Sequence, residues 1–305
     1  MEKLYSKLEY IKTYNKVNKI LKGNMKPVNK NIQPLAILIG GQPGAGKTTL
    51  TEAAMKDYPN MIVIDGDIIR NYHPNLKEIK KIYGVNYPKY TQSFVSQVVE
   101  RLINDLSKEK YNLIIEGTLR DINIPLKTST LLKNKGYEVD LLIIATDKET
   151  SWKNTLKRGK SQEEMNLIPR YVDKNHHDNI VCSLPETIKN LSDNEVFDEV
   201  TIMNRNQCII YDKNSMPSRD IKEIMELCLN GKYRLEENDD INKVNIDKQI
   251  LEVNSTSFES ELSETEFTSS PLVRFETGEH GSTNQEIKLG CSKKRKKDIS
   301  PDISR

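Results

Sequence analysis

Leu35-Ala36-Ile37-Leu38-Ile39 leads through Gly40 into Gly41-Gln42-Pro43-Gly44-Ala45-Gly46-Lys47-Thr48, and this junction decides the fold. The first five residues form a short, continuous apolar run of the kind buried on both faces of a parallel sheet. The next eight match G-x-x-x-x-G-K-[ST] in full. Glycines let successive backbone N–H groups turn inward onto phosphate oxygens, and the helix that follows presents its positive N-terminal end. In that frame Lys47 reaches the β- and γ-phosphates, the Thr48 hydroxyl is the predicted Mg²⁺ ligand, and Thr49 completes the predicted nucleotide-binding stretch. A strand, loop and helix in this order predict ATP or GTP binding with Mg²⁺.

Working outward, the apolar signature returns at 61–64, 113–115, 139–145 and 200–203. Helix-length segments separate these runs. The clearest is 91–107, where Phe94, Val95, Val98, Val99, Leu102, Ile103 and Leu106 make a broad apolar stripe. Alternation of this kind predicts an α/β P-loop kinase fold: a mostly parallel sheet flanked by helices, closed by a helix near 217–229. Ahead of it, Leu4, Leu8, Ile11, Val17, Ile20 and Leu21 predict an amphipathic helix over 3–22. That helix can pack on its own domain or dock a partner.

The 305 residues carry 46 basic and 44 acidic side chains, a net of +2. Residues 236–305 hold 15 acidic and 10 basic ones, a net of −5, which leaves +7 on residues 1–235. With three aromatics, Phe258, Phe267 and Phe275, the last seventy residues cannot bury enough apolar surface to offset the entropy of ordering them, so a disordered tail is expected there. Its end, Lys293-Lys294-Arg295-Lys296-Lys297, reads as a solvated charge run rather than a nucleic-acid site. The expected organisation is an N-terminal helix over 1–30, a P-loop domain over 31–235 and the tail over 236–305. No apolar run approaches the ~18–20 residues that span a bilayer. The four cysteines, Cys182, Cys208, Cys228 and Cys291, lack C-x-x-C spacing. Reduced thiols in a cytoplasmic protein are the expectation.

Ligands of open α/β sheets sit beyond the carboxyl ends of the strands, so the polar residues that end the apolar runs become candidates. The second run ends in Asp65-Gly66-Asp67. Asp65 reads equally as a cap or as a working carboxylate, whereas Asp67 reaches past the strand toward the γ-phosphate. The third run ends in Glu116-Gly117-Thr118-Leu119-Arg120, three polar groups around a glycine where the sheet opens. No convincing D-x-x-G or N-K-x-D stretch accompanies the P-loop, which favours a small-molecule kinase over a GTPase switch. Glu100, on the flank of the 91–107 stripe, reads by itself as a solvated charge. Arg158 and Arg170 fall where a mobile lid could supply arginines to the transferred phosphoryl group. His176 and His177 point about 100° apart on a helix and cannot share one metal ion.

Taken in order, G-G-Q-P-G-A-G-K-T-T (40–49), V-I-D-G-D-I-I-R-N-Y-H-P-N (63–75), Y-N-L-I-I-E-G-T-L-R (111–120), N-K-G-Y-E-V (134–139) and H-D-N-I-V (177–181) resemble the zeta toxin family of bacterial toxin–antitoxin systems. The resemblance covers about residues 34–229. It implies a kinase that uses ATP and Mg²⁺ to phosphorylate the 3′-hydroxyl of the amino sugar in UDP-N-acetylglucosamine, poisoning peptidoglycan synthesis until a small helical antitoxin obstructs the nucleotide site. Carried over, it makes Lys47 the phosphate-binding lysine, Thr48 the metal ligand and Asp67 the residue that orients and deprotonates the sugar hydroxyl. Glu100, Glu116, Thr118, Arg120 and Thr128 become contacts to the UDP-sugar, and Arg158 and Arg170 the transition-state arginines. The flanks of these arginines depart from the family, which follows the first with an aromatic-acidic pair and sets the second in A-R-A-T-P. Here they read Arg158-Gly159-Lys160 and Pro169-Arg170-Tyr171-Val172. Two other readings stay open: a kinase of another small hydroxylated acceptor, such as an antibiotic or nucleoside, and a degenerate nucleotide-binding protein that works by binding a partner.

Overall fold

Six short strands, each a run of mainly apolar residues, assemble in the order β2-β3-β1-β4-β5-β6 in a computed structural model that describes residues 4–233. They are β1 (Leu35–Gly40), β2 (Met61–Ile64), β3 (Asn112–Glu116), β4 (Glu138–Ala145), β5 (Glu199–Asn204) and β6 (Ile209–Asp212). The first five run parallel and β6 is antiparallel to β5. Every residue of β1 is buried, as a central strand covered on both faces requires. On one face Leu35, Ile37 and Ile39 share a core with Leu50, Ala54, Ile114, Ile144 and Met203. In register Ile39 pairs with Glu116 and Ile64 with Ile115, so β1, β2 and β3 end together. That edge delivers Gly41, Asp65 and Glu116 to one place.

The helices are α1 (Lys7–Lys22), α2 (Lys47–Asp57), α3 (Gly66–Arg70), α4 (Leu76–Tyr83), α5 (Tyr87–Lys108), α6 (Asn123–Lys133), α7 (Lys148–Glu164), α8 (Lys174–Ser192) and α9 (Ile221–Leu229). The stripe predicted over 91–107 is α5, which begins four residues earlier because Pro88 is preset for a first helical turn. Strand β6 follows a turn without glycine. The Asn204 side chain accepts the Asn206 and Cys208 N–H groups at 2.9 and 3.0 Å, and Gln207 takes φ 64°. Among the described residues no helix is long and apolar enough to cross a membrane. Cys182, Cys208 and Cys228 are free thiols. The expected tail over 236–305, its basic cluster and Cys291 lie outside the described residues.

Helix α1 opens with a capping box, Ser6 and Glu9 each accepting the other's backbone N–H. Its buried face keeps Val17 and Leu21 of the predicted stripe and departs from it at Leu8 and Ile11. Leu8 and Ile11 are 60% and 37% exposed, while Tyr14, Val17 and Leu21 are buried. Aromatic residues set the face: the Tyr14 hydroxyl donates to Asp105 Oδ2 at 2.6 Å, and the Arg101 guanidinium stands 3.9 Å from the Tyr14 ring centroid. The helix therefore packs on α5 of its own domain.

Beside α1, the ring of His73 meets Phe94 at 4.6 Å and Tyr5 at 5.6 Å. It is buried, and its Nε2 has no hydrogen-bond partner among the described residues. Burial pushes its pKa down to about 4 from 6.5. The unfolded chain therefore binds a proton first as pH falls, and the stability carried by neutral His73 drains away from pH 6.5 toward 4. Between pH 7 and 5 this amounts to about 2 kcal/mol at 1.36 kcal/mol per unit. In denaturant titrations at both pH values, His73→Phe should lose about that much less than the parent; equal losses would acquit His73.

Candidate active site

The P-loop is shaped by glycines with φ 77° at Gly44 and 101° at Gly46, a region that side chains with a Cβ rarely adopt. At Gly44 space is also limiting. A Cβ there would lie 2.0 Å from the Ser151 carbonyl oxygen of α7, and Asn154 Nδ2 donates to the Gly44 carbonyl at 3.0 Å. Gln42 is buried and turns its side chain away from the loop's concavity, its Nε2 donating to the Thr146 carbonyl at 2.5 Å. Thr146 in turn donates to the Ala45 carbonyl at 2.8 Å. The end of β4 thus braces the loop from behind. Pro43 and Thr49 are half-buried, and Thr48 is exposed at the first turn of α2.

Lys47 Nζ donates to the Gly41 and Gln42 carbonyls at 3.0 and 3.3 Å. The surrounding protein lowers its pKa, against the pull of Glu116, Asp67 and Asp65. Glu116, at the tip of β3, accepts the Thr51 hydroxyl at 2.6 Å. Its burial and the nearby Asp65 carboxylate push it up to about 7. Asp65 is the N-cap of α3, accepting the Asp67 N–H at 2.7 Å, so the capping reading describes what its side chain does. Burial and Asp67 raise its pKa.

Asp67 stands in the first turn of α3 with 46% of its side chain exposed, ion-paired to Arg170 and 4.0 Å from Arg70. The protein around it works to raise its pKa, but Arg170, with Arg70 and Arg158 behind it, outweighs that and holds the carboxyl below its ordinary range. Arg70 gives no motif signal, yet it fixes α3 to the start of α5. It is 5% exposed and donates to the Pro88 carbonyl at 3.0 Å, Thr91 Oγ1 at 2.6 Å and Gln92 Oε1 at 2.9 Å. The available hint was its position one turn after Asp67. Tyr87 joins the same electrostatic neighbourhood: burial raises its pKa, against Arg170 and Arg70.

Arg158, read from the sequence as part of a mobile lid, lies instead inside α7, and Arg170 lies on the connection from α7 to α8. The two approach each other, and packing around Arg158 together with Arg170 lowers its pKa. Asp67, Lys47, Glu116, Arg158 and Arg170 therefore share one site. Thr118 is half-buried and Arg120 exposed on the segment after β3, which folds back so that Leu119 covers Gly40. Arg120 faces His176, whose pKa is lowered by burial and then by that charge. Glu100 and Thr128 fall outside the hydrogen-bonded cluster. Glu100 is exposed on α5, nine residues or about 14 Å of helix rise beyond Thr91, and Thr128 is half-buried on α6.

The site thus sets a phosphate cradle, one exposed and ionised carboxylate, and two arginines around a common space. Its donors suit Mg²⁺, which takes one or two protein oxygens and completes its shell with water and phosphate. The Thr48 hydroxyl is exposed, and the carboxylates of Asp65, Asp67 and Glu116 lie close enough to perturb Lys47.

Residues 18–216 match the Zeta toxin family model. The chain is 42% identical over 196 residues to Toxin PezT of Streptococcus pneumoniae, covering 62% of this chain and 76% of that protein. It is 35% identical over 201 residues to Toxin zeta of Streptococcus pyogenes, covering 65% and 70%. Among solved structures, that of the PezAT chromosomal toxin–antitoxin system of Streptococcus pneumoniae superposes with a TM-score of 0.68 at 33% identity, covering 83% of this chain and 96% of that one. The chain belongs to the zeta toxin family and is built on the P-loop kinase fold.

Proposed function

We propose that this protein is a toxin kinase that moves the γ-phosphoryl group of ATP onto the 3′-hydroxyl of the amino sugar of UDP-N-acetylglucosamine, acting in the cytoplasm and depriving peptidoglycan synthesis of its precursor. The observation that carries the reading is Asp67, an exposed carboxylate kept ionised by Arg170 beside the P-loop lysine. The P-loop N–H groups and Lys47 hold the β- and γ-phosphates, and the Thr48 hydroxyl, with the neighbouring carboxylates, would hold Mg²⁺. When bound, that ion neutralises charge developing between the β- and γ-phosphates. Thr118 and Arg120, on the segment after β3, would contact the sugar nucleotide. Glu100 and Thr128 would reach the UDP-sugar only at its far end.

In the transfer, the sugar oxygen forms a bond to the γ-phosphorus, the bond from that phosphorus to the bridging oxygen of ADP breaks, and the hydroxyl proton passes to Asp67. A carboxyl of lowered pKa is a weak base. It suits a loose transition state in which the acceptor is oriented first and gives up its proton late. Arg158 and Arg170 balance charge on the group in flight, so Arg170 exchanges its contact with Asp67 for one with the phosphoryl oxygens. An antitoxin that covers the nucleotide site would block all of these steps.

Incubation with ATP, Mg²⁺ and UDP-N-acetylglucosamine followed by mass spectrometry tests the assignment. The sugar nucleotide should gain one phosphate and ADP should appear in equal amount. Phosphate found only on a nucleoside or antibiotic in a parallel acceptor panel would overturn the choice of acceptor.

A further inference from the structure

Gly159 sits inside α7, where glycine costs about 1 kcal/mol relative to alanine. The space beside it is taken. A Cβ on Gly159 would lie 2.2 and 2.5 Å from Cε1 and Cδ1 of Tyr171, so that ring rests directly on the helix backbone. Further ties close the same segment onto α7. The Arg170 N–H donates to Gln162 Oε1 at 2.7 Å, and the Leu167 N–H donates to the Gln162 carbonyl at 2.8 Å. Asn166, at φ 56°, makes the reversal. One to two turns earlier, α7 is anchored on the P-loop by the Ser151 and Asn154 contacts with Gly44. The helix is therefore a strut with the phosphate loop at one end and the Arg170 segment clasped to the other.

We propose that Tyr171 is a positioning residue: seated on Gly159, it fixes the 165–173 segment to α7 so that Arg158 and Arg170, each the immediate neighbour of one half of the clasp, enter the site together. The ring is 37% exposed and adds little to the core, so its packing serves the segment rather than global stability. Gly159 has no side chain because the ring occupies that place. Arg170 is held by its backbone, which leaves its guanidinium free to leave Asp67 for the phosphoryl group. This inference rests on the kinase reading.

Four variants test it: Tyr171→Ala, Gly159→Ala, their double and Tyr171→Phe. A shift of the arginines by about an ångström costs on the order of 10²-fold in rate. Each alanine variant should lose about that much kcat, with the ATP KM changed less than about twofold. Melting temperature should stay at the parent value for Tyr171→Ala and rise or hold for Gly159→Ala. The double variant should be no worse than either single one. Tyr171→Phe, which keeps the ring, should restore kcat to within a few-fold of the parent. Parent-like kcat in Tyr171→Ala or Gly159→Ala overturns the proposal, as does a loss of kcat matched by a loss of melting temperature. Hydrogen exchange at the Arg170 amide gives a readout that needs no catalysis, and it should accelerate about tenfold or more in Tyr171→Ala. If the parent itself transfers no phosphate, the kinase reading falls while this exchange still decides whether the clasp exists; unchanged exchange removes the clasp.

Discussion

Asp67→Asn should abolish detectable phosphoryl transfer, a loss of about 10³-fold or more at the upper end of what a positioned general base contributes, while ATP binding stays close to the parent value. The substitution is nearly isosteric, and the contact that shapes the start of α3 is the residue's backbone N–H on Asp65, which asparagine keeps. What disappears is the negative charge facing Arg170, Arg70 and Arg158. Arg158 and Arg170 are then left without that counter-charge, so nucleotide affinity holds or tightens as the acceptor hydroxyl loses the group that orients it. Calorimetric ATP titration beside the mass-spectrometric transfer assay separates the two effects. Parent-like transfer by the variant would remove Asp67 from its role, and loss of ATP binding would show it to be part of the cradle instead.

The parts of this site that could be read beforehand depend on backbone geometry or on strand ends. The P-loop is legible because a turn of that shape admits only glycine at Gly44 and Gly46, and the short apolar runs around it mark buried parallel strands. Asp67 and Glu116 are legible because polar residues ending such runs fall at one edge of the sheet. Features set by side chains meeting across long stretches of sequence left no such mark. Arg70 is a buried arginine whose partners on α5 lie 18–22 residues away. On α1 the sequence marks Val17 and Leu21 correctly, but Leu8 and Ile11 look like core and are exposed, whereas Tyr14, amphipathic in a sequence, is buried. Strand β6 is four residues long after a turn held by an asparagine side chain, too short to show a period. The altered flanks of Arg158 and Arg170 are visible as a glycine and a tyrosine twelve residues apart in the chain. Only the fold shows that one fills the space left by the other.

Arg170→Ala is expected to reduce turnover about 10³-fold, the low end of what an arginine on a transferring phosphoryl group contributes, and to leave a second signature in the titration of Asp67. In the parent, the surrounding protein favours the neutral carboxyl, and the arginines, Arg170 foremost, reverse that balance. With Arg170 gone the raising influence remains and the chief lowering one is lost, so the Asp67 pKa must move upward. Carbon-13 carboxyl titration by NMR should show its midpoint displaced to higher pH. Glu116 provides a comparison: its value of about 7 comes from burial, Asp65 and Asp67, opposed by Thr51 and Lys47, so Arg170 acts on it only through those two carboxylates. Its midpoint should move less than that of Asp67. If Glu116 moved as far as Asp67 or farther, removal of Arg170 would have rearranged the site as a whole, and the fall in rate could not be credited to the guanidinium. A shift largest at Asp67, with the rate loss and an unchanged ATP affinity, identifies Arg170 as the group that keeps the base ionised before transfer and meets the phosphoryl charge during it.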